Sequence, residues 1–292
     1  MPTDDRRQVE TADGRWLCYR ATGHPGRPLV LAHHGTPGAG VLAARWHADA
    51  EKHGIRLVSY SRPGYAGSTR HPGRTVSAAA ADAAAVADAE GAQHFATWGL
   101  SGGGPHALAC AALLPERVLR AATVAGVAPY DAEGLDWMDG MGEENVVEFG
   151  AALRGEAALR ELLTPLSQGM RDAEPAQIKA EMSTLLPPSD LAALDAGLDR
   201  YLSDSFRQGL ADGPGGWIDD DLAFVRDWGL DLAGVTVPLL VAQGSEDLMV
   251  PEAHGRWLAA HVRGAESLAV PGLGHVALLD RMDDVYDWLL AR

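Results

Sequence analysis

Apolar and polar positions along the 292-residue chain fall into two alternating rhythms. Continuous apolar runs at 28–32, 55–59, 94–100, 119–127, 238–243 and 266–271 are bounded by turn residues, the pattern of strands covered on both faces. Between them lie stretches of helical composition and spacing at 41–53, 75–90, 104–114, 252–261 and 276–290. Ahead of the first run, residues 8–22 alternate around Asp13-Gly14, and Asp-Gly between strand-like residues predicts an antiparallel hairpin at the sheet edge. Strands alternating with helices predict an α/β fold, a mostly parallel sheet of about eight strands with right-handed crossovers and helices on both faces.

From 130 to 231 the strand rhythm disappears. Helical stretches at 145–163, 176–186 and 190–203 are separated by glycine and proline, and 217–228 has the apolar spacing of a structural helix returning to the sheet. The expected organisation is therefore a core of residues 1–129 and 232–292 with a helical cap, 130–231, inserted over it. Hydrophobic content of 47% and charged content of 22% are those of a soluble globular protein. A net charge of −16 disfavours nucleic acid and anionic membrane as partners. The first residues carry charge instead of an apolar signal, and no run approaches the ~20 apolar residues that span a bilayer. Cys18 and Cys110 sit on different elements and read as buried free thiols, which suits a cytoplasmic protein. The eleven histidines show no metal-ligand spacing, so neither metal nor cofactor is expected, and the partner is a small-molecule substrate, with a homodimer left open.

The candidate chemistry centres on Gly99-Leu100-Ser101-Gly102-Gly103, a G-x-S-x-G sequence between an apolar run and an alanine-rich helix. A serine on a sharp strand-to-helix turn needs small neighbours, because a Cβ at Gly99 or Gly103 would collide with the backbone. The following helix favours developing negative charge at its N-terminus. The alternative is a serine that only caps the helix. Two further strands decide the matter, since 238–243 delivers Asp247 and 266–271 delivers His275 to the edge where α/β sheets bind ligands. Ser101, Asp247 and His275 thus stand in the chain order nucleophile, acid, base, with Glu246 and Asp131 as competing acids. Gly102, after the nucleophile, and Thr36, after the run 28–32, are the expected oxyanion amides, Pro37 having no N–H to give. His34 is expected to support that loop from beneath; the role of His33 stays open.

HHGTPGAG, SRPGYAGST, TWGLSGGGP, GSEDLMVP and GLGH resemble, in this order, the oxyanion, Arg-Pro-Gly, nucleophile, acid and histidine loops of the α/β-hydrolase family, a likeness that covers nearly the whole chain. One departure is Ser61, where many relatives carry Asp before the arginine. The resemblance implies a serine-nucleophile branch with a helical cap, Ser101 arguing against the dehalogenases and epoxide hydrolases, which use Asp at that position. The leading expectation is a serine hydrolase that cleaves a carboxylic ester or lactone of a small, apolar or bulky substrate through an acyl-enzyme. The alternatives are a proline-iminopeptidase-like aminopeptidase, with which HHGTPGAG and Trp98 are also compatible, and a non-catalytic receptor. The aminopeptidase would need cap carboxylates for the substrate amine, Glu143-Glu144 or Asp136 and Asp139. Candidate substrate contacts in the cap are Trp137, Met138, Met141, Glu144, Phe149 and Phe206.

Overall fold

In the computed structural model, which describes residues 6–182 and 184–291, eight strands form one sheet: β1 (Arg7–Glu10), β2 (Trp16–Thr22), β3 (Leu29–His33), β4 (Arg56–Tyr60), β5 (Phe95–Leu100), β6 (Val118–Val124), β7 (Leu239–Gly244) and β8 (Glu266–Val270). Their spatial order is β1-β2-β4-β3-β5-β6-β7-β8. β2 pairs antiparallel with β1 and β4, and every other pairing is parallel. The hairpin turns at Gly14, whose φ of 82° only glycine adopts without strain. β3, β4, β5 and β7 are buried at every position, as apolar runs covered on both faces should be. β8 differs because it is the far edge strand, and Glu266, Ser267 and Ala269 are exposed. The charged chain start, residues 1–5, lies outside the described residues, as does Ser183 within the stretch 176–186.

Helices α1 (Ala44–Lys52), α2 (Ala79–Ala89) and α3 (Gly104–Leu113) connect the first strands. An all-helical insertion between β6 and β7 contains α4 (Glu143–Arg154), α5 (Glu156–Asp172), α6 (Pro175–Glu181), α7 (Pro188–Ala193), α8 (Asp199–Gly209) and α9 (Gly215–Phe224). α10 (Glu252–His261) and α11 (Met282–Leu289) close the chain. One core joins Val86 of α2, Leu108 of α3 and Leu258 of α10 to one sheet face. A second joins Trp46 and Ala50 of α1 and Val285, Tyr286 and Leu289 of α11 to the other. The insertion has a core of its own, in which Leu159, Leu163, Phe206, Trp217 and Ile218 meet. Among the described residues no helix is long and apolar enough to cross a membrane. Cys18 and Cys110 are free and buried.

Element boundaries depart from the sequence pattern where the backbone takes a conformation that side-chain periodicity does not record. The stretch 145–163 is two helices, because Gly155 adopts φ 103° and ends α4 one residue before α5 begins. The stretch 190–203 is α7, a wide turn at Leu194–Leu198 containing Gly197 at φ 116°, and then α8. β6 stops at Val124, since Ala125 turns out of the sheet with φ 53°. The last helix is preceded by a tighter turn, Ala277–Arg281.

The small residues of α3 let that helix lie against the sheet centre, with Gly104 through Ala111 all buried. Leu108, fully buried, is its largest apolar anchor. Leu108→Ala is expected to cost about 2–5 kcal/mol, through lost burial and the cavity left behind. A lower urea midpoint with an unchanged slope would register this.

Candidate active site

The candidate site at this sheet edge is built from the turn out of β5. Ser101 has φ 53°, a left-handed conformation rare for any residue with a side chain. The turn is possible because its neighbours are glycines. A Cβ on Gly99 would lie 2.0 Å from the Gly103 carbonyl oxygen, and one on Gly103 would lie 2.3 Å from the carbonyl oxygen of His33. Backbone therefore packs on backbone at the point where β5 becomes α3. His106, one turn into α3, donates from Nδ1 to the Gly102 carbonyl at 2.7 Å and braces the turn from below.

Asp247 sits on the turn after β7. Its Oδ1 accepts the Met249 and Val250 amides at 2.9 and 2.8 Å, and its Oδ2 accepts Gln243 Nε2 at 3.1 Å and His275 Nδ1 at 2.8 Å. The competing acids Glu246 and Asp131 are exposed, with no such contact to the histidine. Donation from Nδ1 leaves His275 Nε2 as the acceptor of a neutral ring. Burial by itself would push the His275 pKa down, but the Asp247 carboxylate, with a smaller contribution from Asp190, outweighs it and raises the group above its ordinary value. Ser101 and His275 line one cavity of about 220 Å³.

On the other side of Ser101 the loop after β3 is pinned by a buried arginine. Arg62, 1% exposed, donates to the carbonyls of His34 and Gly35, to Thr36 Oγ1 at 2.8 Å and to Asp220 Oδ2 at 2.7 Å. The Thr36 hydroxyl donates to Asp220 Oδ2 at 2.7 Å, and Tyr65 donates to the same carboxylate oxygen at 2.8 Å. Arg74 completes the cluster at 2.7 Å from Asp220 Oδ1. Burial opposes the Asp220 charge, but Arg62 and Arg74 hold its pKa well below the carboxylate range. His34 lies beneath the loop and takes no position on the cavity wall. Its Nδ1 donates to the Gly35 carbonyl at 2.7 Å and its Nε2 accepts the Arg62 amide at 3.1 Å, a neutral tautomer in keeping with a pKa lowered by burial and by Arg62. His33 is neutral too, driven by burial down to about 3. Thr36 and Gly102 are in direct contact, since a Cβ on Gly102 would lie 2.3 Å from Thr36 Oγ1. At Ser61, the hydroxyl accepts the Gly40 amide at 3.1 Å, so that position holds the neighbouring loop without a carboxylate.

A family model described as the alpha/beta hydrolase fold matches residues 28–281. The chain belongs to this family. Among curated proteins, this α/β hydrolase is 28% identical to a non-heme chloroperoxidase of Streptomyces lividans over 278 residues, which cover 91% of this chain and 92% of that protein. Among solved structures it is similar to a hydrolase from Pseudomonas aeruginosa PA01, with a TM-score of 0.69, 20% identity and coverage of 99% and 100% of the two chains. It is similar also to the enol-lactonase from Burkholderia xenovorans LB400, with a TM-score of 0.67, 19% identity and coverage of 97% and 98%.

The helical insertion of the α/β hydrolase roofs the cavity. Of the candidate contacts, Glu144, Phe149 and Phe206 line it, together with Trp217 from the stretch read as purely structural. Trp137, Met138 and Met141 do not line it; they pack into the core beneath the insertion, where Trp137 donates to the Ala128 carbonyl at 2.7 Å and meets Phe149 edge to face. Glu143, Asp136 and Asp139 are exposed. Sequence reasoning overlooked two carboxyls in the wall, Glu148 of α4 and Asp221 of α9. Glu148 accepts Trp217 Nε1 at 2.8 Å, whereas neither oxygen of the fully buried Asp221 meets a donor among the described residues. Burial, with the Glu148 charge adding to it, raises the Asp221 pKa well above its ordinary value, and burial raises that of Glu148, so the two carboxyls favour a shared proton. The signal was visible as three consecutive aspartates in an apolar helix.

A carboxyl whose folded pKa is raised contributes stability that is lost as pH rises through that folded value. The contribution of this pair to the unfolding temperature is therefore expected to decline as pH rises from the ordinary carboxylate value of 3.8 towards the raised folded value. Asp221→Asn, which offers Glu148 an amide N–H without a titrating proton, should flatten that decline; parallel declines in calorimetry would contradict the shared proton.

Proposed function

We propose that this α/β hydrolase is a serine hydrolase that cleaves a carboxylic ester or lactone through an acyl-enzyme, with Ser101 as nucleophile, His275 as base and Asp247 as orienting acid. The observation that carries the proposal is that Ser101 shares a cavity with a histidine whose Nδ1 is held at 2.8 Å by a buried carboxylate. In the reaction, His275 Nε2 takes the hydroxyl proton as Ser101 Oγ attacks the carbonyl carbon. The tetrahedral oxyanion accepts the amides of Gly102 and Thr36, each such donor being worth about 3 kcal/mol in the transition state. Collapse expels the alcohol, which takes its proton from His275, and water then repeats the sequence on the acyl-enzyme. Protein groups supply all of this chemistry. Phe149, Phe206, Met170 and Ile178 in the roof suit an apolar, bulky acyl or alcohol group. The buried free thiols support a cytoplasmic setting.

On this reading Ser101→Ala folds normally, loses aryl-ester turnover by on the order of 10⁵-fold and loses labelling by a fluorophosphonate. Absence of labelling in the wild type would favour a receptor that has kept the fold. The base must be neutral to act, and His275 is raised above the imidazole value of 6.5. Activity should therefore be lost as pH falls through a midpoint above 6.5, read from the acid limb of kcat/KM.

A second reading, an aminopeptidase, is favoured by one observation, the Glu148–Asp221 pair in the cavity wall. A substrate ammonium bound there would replace the shared proton as the partner of both carboxyls. Of the carboxylates proposed for this role from the sequence, only Glu144 lines the cavity. A panel of aryl esters and aminoacyl arylamides separates the readings. Ester turnover should dominate; amide turnover that exceeds it and collapses in Glu148→Gln would establish the aminopeptidase.

A further inference from the structure

The loop that carries His275 is held from outside the sheet. Three of its amides donate to two consecutive side chains of the helical insertion: Gly274 N–H to Ser189 Oγ at 2.9 Å, His275 N–H to Asp190 Oδ2 at 2.9 Å and Ala277 N–H to Asp190 Oδ1 at 2.8 Å. Asp190 has no exposed surface, and both of its oxygens are engaged with this one loop. The approach is so close that a Cβ on Gly274 would lie 2.5 Å from Pro187 Cγ and 2.6 Å from Asp190 Cγ. Pro187 and Pro188 stiffen the segment that presents the carboxylate. Around it, Ala193, Leu194 and Leu198 share an apolar cluster with Val276, Ala277, Leu278 and Leu279, so the two segments are packed as well as hydrogen-bonded.

We propose that Asp190 is a positioning residue for His275, through which the seated cap fixes the backbone from which the imidazole reaches Ser101. The inference rests on the acid–base role assigned above to His275. A histidine ring is placed by two constraints, the hydrogen bond at its Nδ1 and the backbone from which χ1 departs. Asp247 supplies the first and Asp190 the second. Since misplacement by about 1 Å can cost a hundredfold in rate, an anchor on the main chain at the base itself governs turnover without touching substrate. Asp190 also adds a carboxylate near the ring. With Asp247 it makes up the acidic surroundings of His275, and both favour the imidazolium that forms as Ser101 gives up its proton.

The test compares wild type with Asp190→Asn, which keeps the shape but loses the charge and turns one acceptor into a donor. The histidines are isotope-labelled so that the His275 titration is followed by NMR without any turnover. Fluorophosphonate labelling and aryl-ester kinetics are measured on the same samples, with the folded fraction taken from circular dichroism. The expected result in the folded variant is a lowered His275 midpoint, since the Asp190 charge is one of the groups that raise it. Labelling and kcat should slow by about tenfold or more with KM changed less than about threefold. A labelling rate within twofold of wild type in folded Asp190→Asn overturns the proposal. If that variant does not fold, Ser189→Ala removes the Gly274 contact and leaves the charge. Slower labelling with an unmoved His275 midpoint then supports the anchor, and unchanged labelling overturns it. Should wild type not be labelled at all, the hydrolase reading fails by itself, and hydrogen exchange at the His275 and Ala277 amides decides for Asp190: faster in folded Asp190→Asn it supports the anchor, unchanged it overturns it.

Discussion

One buried carboxylate, Asp220, ties the cavity's parts together. It receives Arg62 and Arg74 from the segment after β4, Tyr65 from the same loop and Thr36 from the loop after β3, while its own helix belongs to the insertion. An isolated anion in such a place would be unaffordable, and a single arginine partner would barely offset the loss of hydration. The cluster holds because it is nearly saturated: the arginines neutralise the charge and hydroxyls fill the remaining lone pairs. The cost of disturbing it is correspondingly high, since removing one partner strands the others in low dielectric. The loop after β3 is thus fastened both through the Thr36 hydroxyl and through the His34 and Gly35 carbonyls.

The neighbouring aspartates of α9 show how strongly position controls charge in a helix. Successive residues point about 100° apart. Asp219 reaches outward to a paired contact with Arg70 at 2.8 and 2.9 Å. Asp220 points into the arginine cluster, which holds its pKa well below the carboxylate range, whereas burial and the Glu148 charge push that of Asp221 well above it. Three identical side chains in a row therefore occupy three electrostatic states, set by what lies opposite each one and not by their sequence neighbours. One helix thereby places two buried carboxylates against arginines and a third, Asp221, in the wall of the cavity.

That contrast also explains what could be read from the sequence. The strands, the hairpin at Asp13-Gly14 and the crossover helices were legible because burial on one or two faces writes itself directly into apolar periodicity. The loops bearing Ser101, Asp247 and His275 were legible because each is the short continuation of such a strand. The expectation for Thr36 rests on the absence of an N–H on Pro37. Pairings across the insertion were not legible, because Arg62 with Asp220, Glu148 with Asp221 and Asp190 with His275 are separated by scores of residues and obey no local period. Trp137, Met138 and Met141 misled for the opposite reason: a large apolar side chain is equally suited to a core or a pocket, and Trp137 had a carbonyl partner inside the core. Trp217 carried the same ambiguity and resolved the other way, one edge in the insertion's core and one on the cavity wall.

The contact of Gly103 with the His33 carbonyl has a consequence for how this site can change over time. Where two main chains touch with no side chain between them, there is nothing compressible at the joint, so the turn bearing Ser101 and the strand end bearing the Thr36 loop form a single stiff body. Replacements in the roof can then reshape the space offered to a ligand while the spacing between the serine and the neighbouring amides stays constant.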